Sequence, residues 1–232
     1  MSRTSTARSP ARAPSPSRAR AQPAGEVVPK AEQSRRTRDL IIETGMRCLA
    51  TYGYAQTTML LISKEAGISR GPLQYHFKDK NDLMAAIAEA LPMQVTETVR
   101  QRLRSAVTIE ARLTTVIDIA LEEHTGRHHF VAMELLMAAR NDPALAAAIG
   151  PHLQRGEAAI DDWWTDYLAM HGRSRADLLA LRHVVVACLR GLALDHILQQ
   201  DAQAHANALQ FFRSMFLTVA QGASKAQRPE GG

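Results

Sequence analysis

A glycine between two short amphipathic segments constrains this chain more than any other feature. Residues 57–77 read Thr-Thr-Met-Leu-Leu-Ile-Ser-Lys-Glu-Ala-Gly-Ile-Ser-Arg-Gly-Pro-Leu-Gln-Tyr-His-Phe. The Thr57–Thr58 pair can cap a helix of about two turns, with Leu61, Ile62 and Ala66 on its buried face. Gly67 supplies the positive φ that a tight turn between helices needs, and Ile68 plugs the angle. Ser69 caps a second helix, in which Pro72 fits because it lies in the first turn. Leu73 and Phe77, spaced i and i+4, anchor that helix. Arg70, Gly71, Pro72, Gln74, Tyr75 and His76 are left facing outward. A helix held this way can enter a DNA major groove. Arginine pairs with guanine edges, glutamine with adenine, and a proline ring can touch a thymine methyl. Tyr75 and His76 can reach phosphates, and Lys78 and Lys80 follow as backbone clamps. A helical hairpin that only packs has the same shape, so the exposed residue types carry the nucleic-acid expectation.

The charge distribution agrees. The chain carries a net +5, distributed unevenly. Residues 1–30 hold six bases against one acid, 31–80 eight against five, and 81–232 fourteen against seventeen. The basic first third suits a polyanion; the acidic remainder suits another task. Residues 1–33 are rich in Ser, Pro, Ala and Arg and cannot bury enough apolar surface to offset ordering entropy, so they read as a disordered basic arm. They lack the apolar stretch of a secretory signal, although the acid-poor composition is also that of organelle transit peptides. No apolar run approaches the roughly 18 residues of a membrane helix. Cys48 and Cys188 cannot make a disulfide framework, which fits a reducing cytoplasm.

The remaining pattern is helical throughout. Ser34 can cap a first helix with Leu40, Ile41, Cys48, Leu49 and Tyr52 at helical spacing, ended by Gly53. Asp79 or Asn81 caps a helix over 82–104, interrupted at Pro92. Further helices are expected over 107–124, 127–140, 143–171, 175–199 and 202–222, with a bend or split at Gly150–Pro151. The fold class is therefore all-α: a three-helix helix-turn-helix domain over 34–81 and a C-terminal helical domain over 82–222, with 82–104 as the connecting helix. Residues 223–232 read as a flexible tail.

The stretch from about Arg36 to Ala90 resembles the tetracycline-repressor (TetR-like) family of bacterial regulators. The matching residues are Ala50 through Gly53, Thr57–Thr58, Ala66-Gly67-Ile68-Ser69, Gly71, Leu73, Tyr75-His76-Phe77, and Lys80 before Asp82–Leu83. The resemblance implies that Thr58 and Lys80 bind phosphate. It also implies that Arg70, Gly71 and Pro72 face bases and that Tyr75 and His76 lie against backbone or base edges. With Thr57, Ser69 and Gln74 these form the expected DNA-binding set. Departures fall at Pro72 and Gln74, and at Leu60 and Leu61 after the capping threonines; they bear on operator choice. The resemblance further implies a C-terminal domain that dimerises and binds a small-molecule effector, with repression as the default outcome.

The C-terminal residues give their own expectations. Leu209, Phe212, Phe216 and Val219 in the last helix repeat at spacings of 3, 4 and 3. Leu178, Leu181, Val185, Cys188 or Leu189, and Leu192 repeat similarly in the helix before it. Two such helices from each of two chains can form a four-helix bundle, which suits two half-sites about 34–36 Å apart. Met133, Met137, Trp163, Trp164, Tyr167, His183 and Val186 are the expected walls of a ligand pocket. His124 and His128 lie at i and i+4 beside His129, but Gly126 intervenes and no cysteine is near, so solvated histidines are expected rather than a metal site. Asp161 and Asp162 point about 100° apart on a helix and do not form a carboxylate pair. No GxSxG, HExxH, phosphate loop or triad is present in the sequence, so no enzyme and no cofactor are expected. The expected function is a sequence-specific transcriptional regulator released from its operator by ligand. An architectural DNA-binding protein is the alternative, and an enzyme with a DNA-binding appendage a more distant one.

Overall fold

The computed structural model describes residues 29–169, 173–198 and 201–226, with side chains outside 93–98 and 221–226. Most of the basic arm (1–28) and the end of the tail (227–232) lie outside the described residues, as does the His171–Gly172 break. In chain order the elements are α1 (Lys30–Gln56), α2 (Met59–Glu65), α3 (Arg70–His76), α4 (Lys80–Leu103), α5 (Ile109–Glu123), α6 (Arg127–Ala139), α7 (Pro143–Leu168), α8 (Arg175–Leu198) and α9 (Ala202–Ala226). No strand occurs among the described residues.

Local chemistry sets most boundaries. Side-chain oxygens of Thr58, Asp79, Thr108 and Asp142 accept from the backbone N–H three residues on, and so cap α2, α4, α5 and α7. Ser69 occupies the N-cap position of α3 but makes no capping hydrogen bond. The glycines bend the chain where expected: Gly53 has φ 72° and Gly67 φ 65°.

Several expectations need correction. The first helix begins at Lys30, ahead of Ser34, where a Glu32–Arg36 pair at 2.8 Å spans its first turns. Residues 30–33 are therefore helical rather than part of a disordered arm, and residues 223–226 extend α9 rather than forming a tail. Pro92 does not interrupt α4, and Gly150–Pro151 does not split α7. Pro92 is instead a packing group: its ring fills the space left by the missing side chain of Gly156 on α7.

Two apolar cores organise the helices. One gathers Ile41, Met46, Leu49, Ile62, Leu73, Phe77, Leu83 and Ile87 with Val131 and Leu135 of α6 and Leu145 and Ile149 of α7. The helix-turn-helix thus shares its core with α6 and α7. The other core joins Leu113 and Ile117 of α5, Trp164 and Leu168 of α7, Val185 and Leu189 of α8, and Phe212 and Phe216 of α9. There the indole N–H of Trp164 donates to the Leu178 carbonyl at 2.8 Å, and Arg213 forks onto Asp118 at 2.6 and 3.2 Å.

Candidate nucleic-acid interface and ligand cavity

The α2–turn–α3 unit is held from below. Leu73 and Phe77 are buried, and the Ser63 hydroxyl donates to the Ile68 carbonyl at 2.6 Å, closing the turn. The opposite face of α3 presents Arg70, Gly71, Pro72, Gln74 and Tyr75 to solvent. Tyr75 is 80% exposed, so its ring and hydroxyl are accessible to a partner. The half-buried His76 ring packs edge-on against it, with centroids 5.0 Å apart. Ser69 and Thr58 stand exposed at the N-termini of α3 and α2, where backbone N–H groups favour a phosphate. Lys64 and Lys78 are exposed on the same unit.

Two expected DNA contacts are placed otherwise. Thr57 is fully buried; its hydroxyl donates to the Gly53 carbonyl at 2.7 Å and its N–H donates to the same oxygen. It shapes the corner before α2 and cannot reach DNA. Lys80 turns inward as well. Its Nζ donates to the Tyr54 carbonyl at 2.7 Å and lies 3.6 Å from the centroid of the Tyr54 ring. Burial lowers its pKa, and the nearby Asp142 carboxylate partly offsets this. The Lys80 partner is 26 residues away and set by tertiary structure, whereas the Thr57 partner is local, four residues back at the Gly53 bend.

A cavity of about 280 Å³ opens among α4, α5, α6, α7 and α8. Of the residues expected there, Trp163, Trp164 and Val186 line it; Met133, Met137, Tyr167 and His183 do not. Met137 and His183 are exposed. Tyr167 stacks on Trp163 at 5.4 Å, with the Arg112 guanidinium 4.9 Å from its ring centroid. Sequence reasoning missed Leu91, Pro92, His129 and Arg182 in the wall. Arg182 has a 5% exposed side chain that meets Glu157 at 2.6 Å and Asp161 at 2.5 Å. The neighbouring Asp162 pairs instead with Arg175 at 2.6 Å, so the adjacent carboxylates diverge onto different arginines.

The histidine cluster also divides. His124 is buried, with Nδ1 on the Leu121 carbonyl and Nε2 3.1 Å from Nε2 of His205. His128 lies 3.8 Å from Glu123. The Nε2 of His129 is buried in the wall without a hydrogen-bond partner among the described residues. Burial above all, then Arg190 and His124, lower its pKa to about 4. A histidine whose folded pKa falls below its unfolded value takes a proton more readily when unfolded. Its share of stability is therefore complete above pH ~6.5 and is lost as pH falls toward about 4. Thermal unfolding followed from pH 7 to pH 4.5 should show this acid loss, on the order of 2 kcal/mol. The variant His129→Leu should lose less stability over the same range. An equal loss in both would remove His129 as the cause.

An exposed reading helix on a cored turn, basic flanks and a cavity built into the helices behind it define a DNA-binding transcriptional regulator. Residues 41–87 match the family model described as bacterial regulatory proteins, tetR family. Over these residues, the helix-turn-helix and the start of α4, the chain is similar to that family. It is 29% identical over 174 residues to the HTH-type transcriptional regulator CymR of Pseudomonas putida, covering 75% of this chain and 86% of that one. Its fold matches a transcriptional regulator of Rhodococcus sp. Rha1 with TM-score 0.62 at 20% identity, over 79% of this chain and 97% of the other. A regulator from Saccharomonospora viridis in complex with choline matches with TM-score 0.61 at 19% identity, over 78% and 95%. Among the described residues no helix is long and apolar enough to cross a membrane.

Proposed function

We propose that this regulator is a cytoplasmic, non-enzymatic homodimeric repressor, released from its operator when a small molecule fills the cavity. The observation that carries the reading is the shared construction of cavity and reading head. Helices α4, α6 and α7 line the one and supply the core of the other. A ligand that shifts these helices bears directly on the angle of α3. A coupling of ~1–3 kcal/mol is enough for a tenfold to hundredfold change in affinity. The choline bound by the Saccharomonospora viridis relative supports a small-molecule effector without naming this one.

The dimer reading rests on an apolar face that the described residues leave uncovered. On α8 the exposed positions Val184, Ala187, Gly191, Leu194 and Leu198 recur at spacings of 3 and 4. On α9 the exposed Phe211, Met215 and Val219 recur every fourth residue, with Phe211 73% exposed. This stripe differs from the seam expected from sequence. Leu178, Val185, Leu189, Phe212 and Phe216 face the chain's own core, and only Val219 of that expected seam is on the open face.

The test of function is a substitution on the reading helix. Arg70→Ala should weaken binding to DNA selected by the wild-type protein from a random pool by about 10- to 100-fold, the ~1–3 kcal/mol of one base-edge contact. Binding to random DNA should change far less. Unchanged affinity for the selected DNA would remove Arg70 from the interface. No selection at all by the wild type would favour the architectural alternative. A small-molecule screen by thermal shift then identifies the effector, because a ligand of the folded state raises the melting temperature.

A further inference from the structure

Tyr54, between the Gly53 bend and α2, has both of its backbone polar groups taken by side chains from distant helices. Its N–H donates to Oε2 of Glu134 on α6 at 2.7 Å. Its carbonyl accepts from Nζ of Lys80, the first residue of α4, at 2.7 Å. The Asp142 carboxylate, which caps α7, is close enough to act electrostatically on both the Tyr54 phenol and Lys80. Gly53 leaves room for the arrangement, since a Cβ there would sit 3.2 Å from the Glu134 carboxylate. From the same bend the Gly53 carbonyl accepts the Thr57 hydroxyl, and α2 starts two residues later. The orientation of the helix-turn-helix is therefore anchored at this backbone corner as well as through the shared apolar core.

We infer that Glu134 and Lys80 are positioning residues for DNA recognition: together they clamp the Gly53–Tyr54 corner and so fix the pitch at which α3 meets the groove. Lys80 in this role does not touch phosphate. The paired charges suit it, because a carboxylate accepting an N–H and an ammonium donating to a carbonyl are stronger than neutral hydrogen bonds. The clamp also joins the two halves of the molecule. The helices that hold the corner run on into the cavity wall, α4 through Leu91 and Pro92, and α6 through His129 and Ala132. The inference rests on the regulator reading above, which the test separates from it.

The test uses the full chain as wild type, Glu134→Ala, Glu134→Gln and Lys80→Met, with DNA selected by the wild type and random DNA of equal length. Glu134→Ala and Lys80→Met should lose about tenfold in affinity for selected DNA and less than about twofold for random DNA. Glu134→Gln keeps an acceptor for the Tyr54 N–H and should stay within about threefold of wild type. In the protein without DNA, amide exchange over residues 54–77 should quicken about tenfold in Glu134→Ala, while amides of α5 and α8 keep their protection. Wild-type affinity in Glu134→Ala would overturn the assignment. So would equal losses on both DNAs, which mark general destabilisation, or unchanged exchange over 54–77. If the wild type selects no sequence, the regulator reading fails, and the exchange result alone decides whether the corner is clamped.

Discussion

Replacing Gly156 with alanine should lower the melting temperature by roughly 2–12 °C. An ideal Cβ at 156 would lie 2.3 Å from Cγ and 3.0 Å from Cβ of Pro92. Both sides of this contact are rigid: a pyrrolidine ring fixed to α4 and the backbone of α7. Neither can rotate away, so the two helices must part. Overpacking of this kind costs ~1–3 kcal/mol, and for a chain of this length ~1 kcal/mol corresponds to about 2–4 °C. Gly150 provides the control on the same helix. A Cβ there meets nothing within 4 Å, so Gly150→Ala should stabilise by up to ~1 kcal/mol through helix propensity alone. Adding Pro92→Ala to Gly156→Ala should recover part of the loss, as expected for two residues in contact. Circular dichroism melts of these variants decide the matter. Gly156→Ala melting at or above wild type would show that α4 and α7 are not fitted in this way.

The proline–glycine fit marks the limit of what the sequence could reveal. The α2–turn–α3 unit was legible because its determinants are local: apolar residues at helical spacing, a glycine at the positive-φ position, and Leu73 and Phe77 one turn apart. The family match rests on the same residues. Pro92 and Gly150–Pro151 were misread as breaks because propensity ranks proline without knowing what its ring packs against. Thr57 and Lys80 were misread for a related reason. A buried threonine and an inward lysine look like DNA ligands until their partners, Gly53 and Tyr54, are placed beside them. In the cavity the tryptophan pair stood out by type. Arg182 did not, because its burial depends on Glu157 and Asp161 from another helix. The seam on α8 and α9 failed differently. Periodicity identifies an apolar face, and these helices have two, one filled by the chain itself and one left bare.

That bare face gives the second large effect. The double variant Phe211→Glu/Leu198→Glu should be monomeric at micromolar concentration and should lose at least ~100-fold in affinity for a two-half-site operator. Phe211 and Leu198 are 73% and 81% exposed, so charges placed there disturb little within one chain. Across a two-fold axis, however, each carboxylate would meet the partner's apolar stripe and its copies. Burying such unpaired charges costs more than an interface of this kind can absorb. Gly191 is on the same stripe with open space before it, which would let two α8 helices approach closely. Operator affinity follows from the assembly. Two reading heads joined in one dimer bind the second half-site as an intramolecular event, an advantage of about 10²–10⁴ that a monomer forfeits. Sedimentation gives the mass, and titration against operators with one and two half-sites gives the coupling. The variant and the wild type should bind a single half-site alike. A variant that remained dimeric would place the contact elsewhere on the molecule, and a wild type that gained nothing from the second half-site would remove the dimer reading.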